Sequence, residues 1–411
     1  MGEWEKKTIG DLCETVSITY RCNDPEVILI NTSDILEGKI LNHKKVKNEG
    51  LKGQFKKTFQ KNDILYSEIR PANKRFAFVD FDDTSLYIAS TKLMVLRPKS
   101  EIVYPQFLFA ILKDGSMLEK LQHLAETRSG TFPQITFSSE LAPMLVMLPD
   151  LDTQKKIVSV LNFIEDKIEL NNTINKNLEE QAVTLFKQLL ENGDSFIESA
   201  IGTFPSDFKV TKVGQIPMLV TDYVANGSFA SLKANVTLFQ EPNFAYFVRN
   251  TDLKSDLYNV YVDNHSYEFL AKSKLFGGEI IISNVGDVGS VFLCPLLNKP
   301  MTLGNNIIML RPDDEKLRLY LYIWFKHAQG QALIQGIKGG SAQPKFNKTD
   351  FKNLLIAIPS KMKLSAFNET VSPIFKAIDS NLTENKNLIS LRDTLLPKLM
   401  SGEIDVSNID I

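Results

Sequence analysis

Two long stretches with the same heptad spacing constrain what this 411-residue chain can fold into. The first runs from Asp152 to Gly193 without a proline. Positions spaced alternately by four and three residues lie on one side of a helix, and we call them its seam positions. These positions are Ile157, Leu161, Ile164, Ile168, Asn171, Asn175, Leu178, Ala182, Leu185 and Leu189. A stripe this narrow predicts a coiled-coil helix about 50 Å long, which needs a second helix to cover its apolar side.

The second stretch repeats the first 210 positions later. Its seam positions are Phe367, Val371, Ile374, Ile378, Asn381, Asn385, Leu388, Arg392, Leu395 and Leu399. The tetrapeptide NKNL recurs at the same interval, at 175–178 and 385–388. Each helix is therefore the simplest partner for the other. Because a globular segment must bring the chain back between them, we predict an antiparallel coiled coil.

Other matches indicate that the whole chain is duplicated. They occur in the same order in both copies, at an offset that drifts only slightly along the chain. The matched segments are TIGDL with KVGQI, DILYSEIR with EIIISNVG, KLMVLRP with NIIMLRP, SGTFPQIT with GSAQPKFN, and MLP with AIP. Each match alone is weak, but five in order predict an internal pseudo-two-fold repeat.

Both copies have the pattern of a mixed α+β fold. Short β-branched runs alternate with Gly, Asn and Asp turns, and segments such as YPQFLFAILKD have the pattern of amphipathic helices. We expect globular domains at residues 1–152 and 193–361. Residues 153–192 should form the first long helix, and 362–411 the second helix with a C-terminal tail.

Composition restricts the class of protein further. The chain is 43% hydrophobic and 23% charged, and it has neither an apolar run of membrane-spanning length nor an apolar N-terminal signal, so we expect a cytoplasmic protein. Its three cysteines include no Cys-x-x-Cys pair, and its four histidines are not spaced as metal ligands. No cofactor-binding glycine motif or methyltransferase motif is present, so we expect no metal, no cofactor and no catalytic residues.

The order of these segments resembles the specificity subunit of type I restriction-modification systems over essentially the whole chain. The most specific matches are Pro149, Gln154 and Ile157 at the start of the first long helix, the segment DILYSEIRPANKR and the segment LLPKLMSGEI. The resemblance implies two target recognition domains that each read half of a split DNA sequence, and a coiled coil that sets their spacing. It also implies docking of two adenine-methylation subunits and, in some complexes, a translocating restriction subunit, with catalysis left to these partners.

Two globular domains held apart by a long coiled coil suit a ligand that repeats along a line, as the grooves of double-stranded DNA do. A net charge of −2 excludes a uniformly basic DNA-coating protein, but Lys44 to Arg75 contains ten basic and three acidic residues. Polar and basic side chains in loops that follow strands are the candidates for DNA binding. They are Arg70, Asn73, Lys74, Arg75, Arg128, Ser129, Thr131 and Gln134 in the first domain, and Lys272, Lys274, Ser283, Asn284, Asp287, Lys338, Ser341, Gln343 and Lys345 in the second. A solvated turn or charged face remains the alternative interpretation of each group.

Four asparagines lie nearest the middle of the two seams. In an antiparallel pairing Asn171 comes opposite Asn385, and Asn175 comes opposite Asn381. A buried polar layer of this kind lowers apolar stability but fixes register and orientation. We therefore predict that these side chains determine the register of the coiled coil.

A second function from a different class also fits the two-headed pattern. A coiled-coil adaptor that binds proteins through its two domains would have the same repeat without DNA specificity. Sequence-selective DNA binding that weakens steeply with salt distinguishes the first function from the second.

Overall fold

The computed structural model describes residues 4–49, 53–127, 133–340, 343–407 and 409. The chain divides into two compact units, Met1–Asn171 with Thr383–Ile411, and Asn172–Leu382. Both units contain helices and antiparallel and parallel strand pairs, which confirms the predicted α+β class.

Among its described residues, the strands of the first unit form four sheets, in the orders β1-β12, β6-β3-β10-β7, β2-β11-β8-β9 and β4-β5. Their bounds are β1 Glu5–Thr8, β2 Cys13–Val16, β3 Glu26–Ile30, β4 Ile35–Leu36, β5 Lys39–Ile40, β6 Lys45–Lys47, β7 Phe55–Lys57, β8 Ile64–Ser67, β9 Phe76–Phe78, β10 Tyr87–Ser90, β11 Leu93–Pro98 and β12 Leu145–Leu148. Apolar side chains from β8 and β11, among them Ile64 and Leu96, enter a core shared with the helices.

In the described part of the second unit the strands also form four sheets, in the orders β13-β14, β15-β25, β16-β24-β21-β22 and β17-β19-β18-β23-β20. Their bounds are β13 Phe196–Ser199, β14 Gly202–Pro205, β15 Lys209–Lys212, β16 Met218–Asp222, β17 Leu238–Phe239, β18 Ala245–Val248, β19 Tyr261–Val262, β20 Lys274–Leu275, β21 Ile280–Ser283, β22 Val291–Leu293, β23 Met301–Leu303, β24 Ile307–Pro312 and β25 Leu355–Ile358. Ile280, Ile282 and Leu310 of the central strands are fully buried.

One four-stranded sheet recurs in both units with the same strand order. The order β2-β11-β8-β9 of the first unit corresponds to β16-β24-β21-β22 of the second. Strands β8 and β21 are separated by the same offset as the matching segments DILYSEIR and EIIISNVG, and β11 and β24 by that of KLMVLRP and NIIMLRP. The antiparallel pair β1-β12 is likewise repeated as β15-β25, and in each case the later strand of the pair directly precedes a long helix.

The helices are α1 Ile9–Leu12, α2 Pro105–Lys113, α3 Gly115–Thr127, α4 Leu151–Glu191, α5 Phe229–Asn235, α6 Asn250–Ser255, α7 Asn264–Phe269, α8 Lys316–Lys326, α9 Ala328–Gly336, α10 Lys348–Asn353 and α11 Lys361–Met400. Helix α4 starts where the buried side chain of Gln154 accepts a hydrogen bond from the Tyr104 N–H (2.7 Å) and donates one to the Pro149 carbonyl (2.8 Å). This glutamine therefore fixes the start of the helix to the globular part of its unit.

The two long helices pack against each other within each unit. In the first unit Leu161 of α4 shares a core with Leu396 of α11. In the second unit the rings of Phe186 and Phe367 lie 6.3 Å apart between centroids. Numbering rises along one helix as it falls along the other, so the pairing is antiparallel in both units. Helix α11 continues through Pro373.

Candidate nucleic-acid interface

In the first unit the loop after β8 lies against the segment that follows α3. Ile69 and Gln134 form an antiparallel bridge, and the backbone N–H of Arg70 donates to the Pro133 carbonyl at 3.0 Å. The structure therefore brings together two candidate groups that lie far apart in the chain. Arg70 and Asn73 are exposed there. The candidates Arg128, Ser129 and Thr131 lie outside the described residues.

The second unit has the equivalent pair of segments. Val285 and Lys345 form an antiparallel bridge, and the N–H of Gly286 donates to the Pro344 carbonyl at 2.9 Å. Val285 corresponds to Ile69, and Lys345 to Gln134, at the offsets of the matching sequence segments. Gln343 and Lys345 are exposed at this junction, whereas Ser341 lies outside the described residues.

Two basic candidates of the first unit already have partners within the unit. The guanidinium of Arg75 donates to the carbonyls of Ser33 (3.2 Å) and Ile35 (3.1 Å), so it braces the neighbouring loop. Lys74 forms an exposed ion pair with Glu37 at 3.0 Å. An exposed pair of this kind contributes little stability, which leaves the Lys74 ammonium able to exchange its partner for a phosphate.

The basic and acidic candidates of the second unit differ in how they are held. Lys274 is paired with Glu268 at 2.9 Å, and its Nζ lies 4.3 Å from the centroid of the Tyr267 ring. Asp287 is paired with Lys254, whose hydrogen bond holds the pKa of that carboxyl below its ordinary value. Lys272 is exposed. Lys274 and Asp287 therefore have structural contacts of their own.

The remaining candidates of the second unit are held in different ways. Lys338 is exposed, and its Nζ lies 3.3 Å from the amide oxygen of Gln335. Ser283 is fully buried at the end of β21, where its hydroxyl lies 3.4 Å from the Val285 carbonyl. Ser283 therefore shapes the turn, whereas Lys338 extends from its surface.

A backbone arrangement that sequence reasoning missed is repeated beside each bridge. In the first unit the N–H of Glu68 donates to the Lys92 carbonyl at 3.1 Å. In the second unit the N–H of Asn284 donates to the Asn306 carbonyl, also at 3.1 Å. The offsets that relate β8 to β21 and β11 to β24 also relate these two pairs, so an alignment of the two copies could have found them.

The side chains at these repeated positions are different. Glu68 and Lys92 form an ion pair with an N–O distance of 3.8 Å. Asn284 and Asn306 are both amides, and the buried Oδ1 atom of Asn284 has no hydrogen-bond partner among the described residues. Buried polar atoms nearly always have a partner, so an orphaned acceptor at a surface loop indicates a place where a ligand donor can bind.

A cleft of about 430 Å³ opens beside Asn284. It combines amide, aromatic and basic side chains, and Phe229 at its rim is 82% exposed. Its lining consists of Asp222, Tyr223, Val224, Phe229, Leu232, Lys233, Asn284, Val285, Asn305, Asn306 and Ile307. Hydrogen-bonding amides next to a basic group and an exposed ring suit a nucleotide better than a purely apolar ligand.

The basic stretch that runs from Lys44 places part of its charge along a sheet edge. Strand β6 is the outer strand of its sheet, and Lys45 and Lys47 are both exposed. Lysines on an edge strand oppose pairing with other sheets, and they also provide charges that can contact phosphates.

The four seam asparagines pair within the units. In the first unit the amide of Asn171 donates to Asn385 at 2.9 Å and to the carboxylate of Glu384 at 2.8 Å. The pKa of Glu384 is lowered mainly by the hydrogen bond from Asn171 and, to a smaller extent, by the hydrogen bond from Lys167. In the second unit Asn381 donates to Asn175 at 2.8 Å.

The described part of the chain shows neither a metal centre nor a membrane-spanning helix. No cluster of His, Cys, Asp and Glu in this part has the geometry to hold a metal ion. None of its helices combines the length and the apolar character that crossing a membrane requires.

Comparison with known proteins gave consistent matches over nearly the whole chain. A model of the type I restriction modification DNA specificity domain matches residues 1–180 and again 202–391. The type I restriction enzyme HindI specificity subunit of Haemophilus influenzae is 32% identical, with 98% of this chain and 100% of that protein covered. The MjaIX specificity subunit of Methanocaldococcus jannaschii is 25% identical over 76% of this chain and 72% of that protein.

A solved structure supports the fold. The crystal structure of the type I restriction-modification system S subunit from M. genitalium superimposes with a TM-score of 0.53 and 17% identity. The match covers 97% of this chain and 96% of that one. At this identity it shows a shared fold.

Proposed function

This chain belongs to the family of type I restriction-modification DNA specificity subunits, and from that membership we propose that it is the sequence-specific DNA-binding subunit of such a complex. Residues 1–152 and 193–361 act as target recognition domains, each of which reads one half of a bipartite site in double-stranded DNA. Residues 153–192 and 362–411 supply the spacer helices and the tail.

One observation supports two separate half-sites more than any other. Each unit joins the loop after its central strand to a second polar segment, through the bridges Ile69–Gln134 and Val285–Lys345. The backbone arrangement is the same, but the exposed side chains differ. Equivalent frames with different side chains would read different bases, so the proposed site is asymmetric.

The long helices have two roles in this proposal. They set the number of unread bases between the half-sites, and they dock two copies of an adenine-methylation subunit. The hydrogen-bonded pairs Asn171–Asn385 and Asn175–Asn381 support a fixed register, because a shift of either helix would separate amides that are now paired. A restriction and translocation subunit can join the same complex.

Catalysis belongs to the partners in this proposal. The specificity subunit chooses the site, requires no cofactor, and leaves methylation of adenine and cleavage of DNA to the other subunits. The proposed interface consists of the loops around the two bridges, with exposed lysines contacting phosphates.

A gel-shift measurement with the full chain and its methylation subunit tests the proposed function. We expect selective binding to DNA that carries the site, with an affinity that falls steeply as salt rises because counterions are released from the phosphates. Binding of proteins without any sequence-selective DNA binding would instead support the adaptor function.

A further inference from the structure

We propose that residues 68 and 92 in the first unit, and 284 and 306 in the second, form equivalent base-reading pairs whose side chains select different base pairs. Glu68 with Lys92 reads a G·C pair in the first half-site. Asn284 with Asn306 reads an A·T pair in the second. This inference rests on the proposed function, since it names the residues through which each domain distinguishes bases.

The two pairs occupy the same place in a repeated backbone frame. In each unit the first member follows the central strand, β8 or β21, and its N–H donates to the carbonyl of the second at 3.1 Å. The second member lies in the turn that precedes β11 or β24. The fold therefore presents both pairs from matching positions, although the backbone of Asn306 is left-handed (φ 65°) and that of Lys92 is not.

A third contact ties each pair to the segment that carries the other candidate residues. The carbonyl of Glu68 accepts the N–H of Ile135 at 2.8 Å, and the carbonyl of Asn284 accepts the N–H of Phe346 at 3.0 Å. The polar backbone groups of the first members are thus used to hold the frame. The Nδ2 atom of Asn284 also donates to the Phe346 carbonyl, at 3.4 Å, so its Oδ1 atom is the group left to provide specificity.

The cleft of the second unit shows that the amides border space for a ligand. Asn284 and Asn306 both line it, together with Lys233 and the exposed ring of Phe229. Among the described residues the buried Asn284 oxygen has no partner, and Asn306 is exposed. A base donor that reached this oxygen would give it the partner that the described residues do not provide.

The chemistry of the side chains assigns the base pairs. In the major groove guanine presents two acceptors, which suit a lysine, and cytosine presents an amino donor, which suits a glutamate. Adenine presents one acceptor and one donor, which match an asparagine amide, and the thymine oxygen can accept from a second amide. A carboxylate and an ammonium side by side therefore complement G·C, and two amides complement A·T.

The test exchanges one pair for the other in the first unit. The double variant Glu68→Asn/Lys92→Asn is preferred to the reverse exchange, because Asn306 has a φ of 65°, a conformation that asparagine tolerates better than lysine. The full chain with its methylation subunit would be bound to a DNA library whose first half-site is randomised and whose second half-site is kept. Bound DNA would then be sequenced.

We expect wild type to select G·C, and the double variant A·T, at one position of the first half-site. The expected change in preference is about ten-fold or more. Unchanged base frequencies in the variant would overturn the inference. Uniformly weaker binding to all sequences would also overturn it, because that result describes a phosphate contact or a structural role. Failure of the wild-type complex to select any sequence would instead overturn the proposed function.

The matched control removes a charged pair elsewhere in the same unit. Lys61 and Asp82 form an exposed ion pair at 2.9 Å. The variant Lys61→Asn/Asp82→Asn makes the same kind of change, from a charged pair to two amides, and should select the wild-type sequence. A shift of base preference in this control equal to that of the Glu68/Lys92 variant would show a general charge effect and contradict the inference.

Discussion

At the residue scale, a buried ion pair is repeated at equivalent positions of the two units. Arg97 donates two hydrogen bonds to Asp63, at 2.9 and 2.8 Å, and Asp63 is only 1% exposed. Arg311 pairs with Glu279, with two nitrogens donating to the same carboxylate oxygen at 3.3 and 2.8 Å, and Glu279 is 3% exposed. Each acid directly precedes strand β8 or β21, and each arginine lies on the adjacent strand, β11 or β24. The ion pair therefore holds together the two strands next to the proposed base-reading loop.

Replacing the arginine of the first pair should destabilise the first unit. In Arg97→Leu the Asp63 carboxylate stays buried without its cation, and loss of one partner of a buried pair costs about 3–5 kcal/mol. Urea unfolding would show a clear fall of the midpoint. The control Lys61→Ala breaks an exposed pair and should cost about 0–1 kcal/mol. Equal shifts in the two variants would contradict the structural role of Arg97.

His327 should make the stability of the second unit depend on pH. The pKa of His327 is lowered from its ordinary 6.5, mainly by burial and to a smaller extent by the nearby charge of Lys187. The centroid of its ring lies 5.5 Å from that of the Phe186 ring. A lowered histidine pKa means that the unfolded chain takes up the proton first. Stability is therefore present above pH 6.5 and is lost as the pH falls through the lowered value.

The variant His327→Gln isolates this contribution. We expect the thermal midpoint of wild type to fall more between pH 7.5 and pH 5.5 than that of the variant. Melting curves at the two pH values measure the difference. Identical falls in both proteins would mean that His327 does not titrate in this range.

The sequence predicted which loops form the candidate site better than it predicted the hydrogen bonds that the individual side chains make. The offsets between the matching segments predicted which loops are equivalent, and the bridges Ile69–Gln134 and Val285–Lys345 lie at those offsets. Charge alone could not show that the Arg75 guanidinium donates to backbone carbonyls, because that depends on how a distant loop folds back. Glu68 and Lys92 were missed since a charged residue after a strand looks like an ordinary solvated turn.

At the scale of elements, the asparagine layers are the part of the long helices with the clearest test. Replacing both partners of a buried hydrogen bond by apolar groups is nearly neutral or stabilising. In Asn171→Leu/Asn385→Leu we therefore expect the free energy of unfolding to rise, or to fall by less than about 1 kcal/mol. Without the paired amides we expect other registers, and so methylated sites with more than one gap length.

The control for this variant uses the second asparagine of each NKNL segment. Asn177 and Asn387 lie on the same two helices but are exposed. The variant Asn177→Leu/Asn387→Leu should keep a single gap length. Chemical unfolding and sequencing of methylated DNA measure the two effects. A single, unchanged gap length in the Asn171/Asn385 variant would contradict the register hypothesis.

The strands that recur in both units were predictable from the sequence, whereas the five-stranded sheet of the second unit was less predictable. Strands β8 and β11 consist of apolar runs that recur as β21 and β24. Strands β17, β19 and β20 are dipeptides, which are too short for a period to be visible. Proline removes a helical hydrogen-bond donor, yet helix α11 continues through Pro373.

At the scale of the whole molecule, duplication gives one chain two frames that can diverge separately. The sheet order β2-β11-β8-β9 is kept as β16-β24-β21-β22, while the loops beside it differ in charge. The net charge of −2 shows that DNA affinity does not come from the average composition. It would come from local groups and from the partner subunits, which is why a complex is the appropriate form for measurement.

The most direct test is to map methylated adenines in the DNA of cells that contain this chain and its methylation subunit. We expect one asymmetric motif in two parts, with a methylated adenine in each part and a fixed number of unread bases between them. Loss of the chain should abolish that motif. A continuous motif, a palindrome of two identical halves, or methylation that does not depend on the chain would show that the two diverged repeats do not each read half of the site.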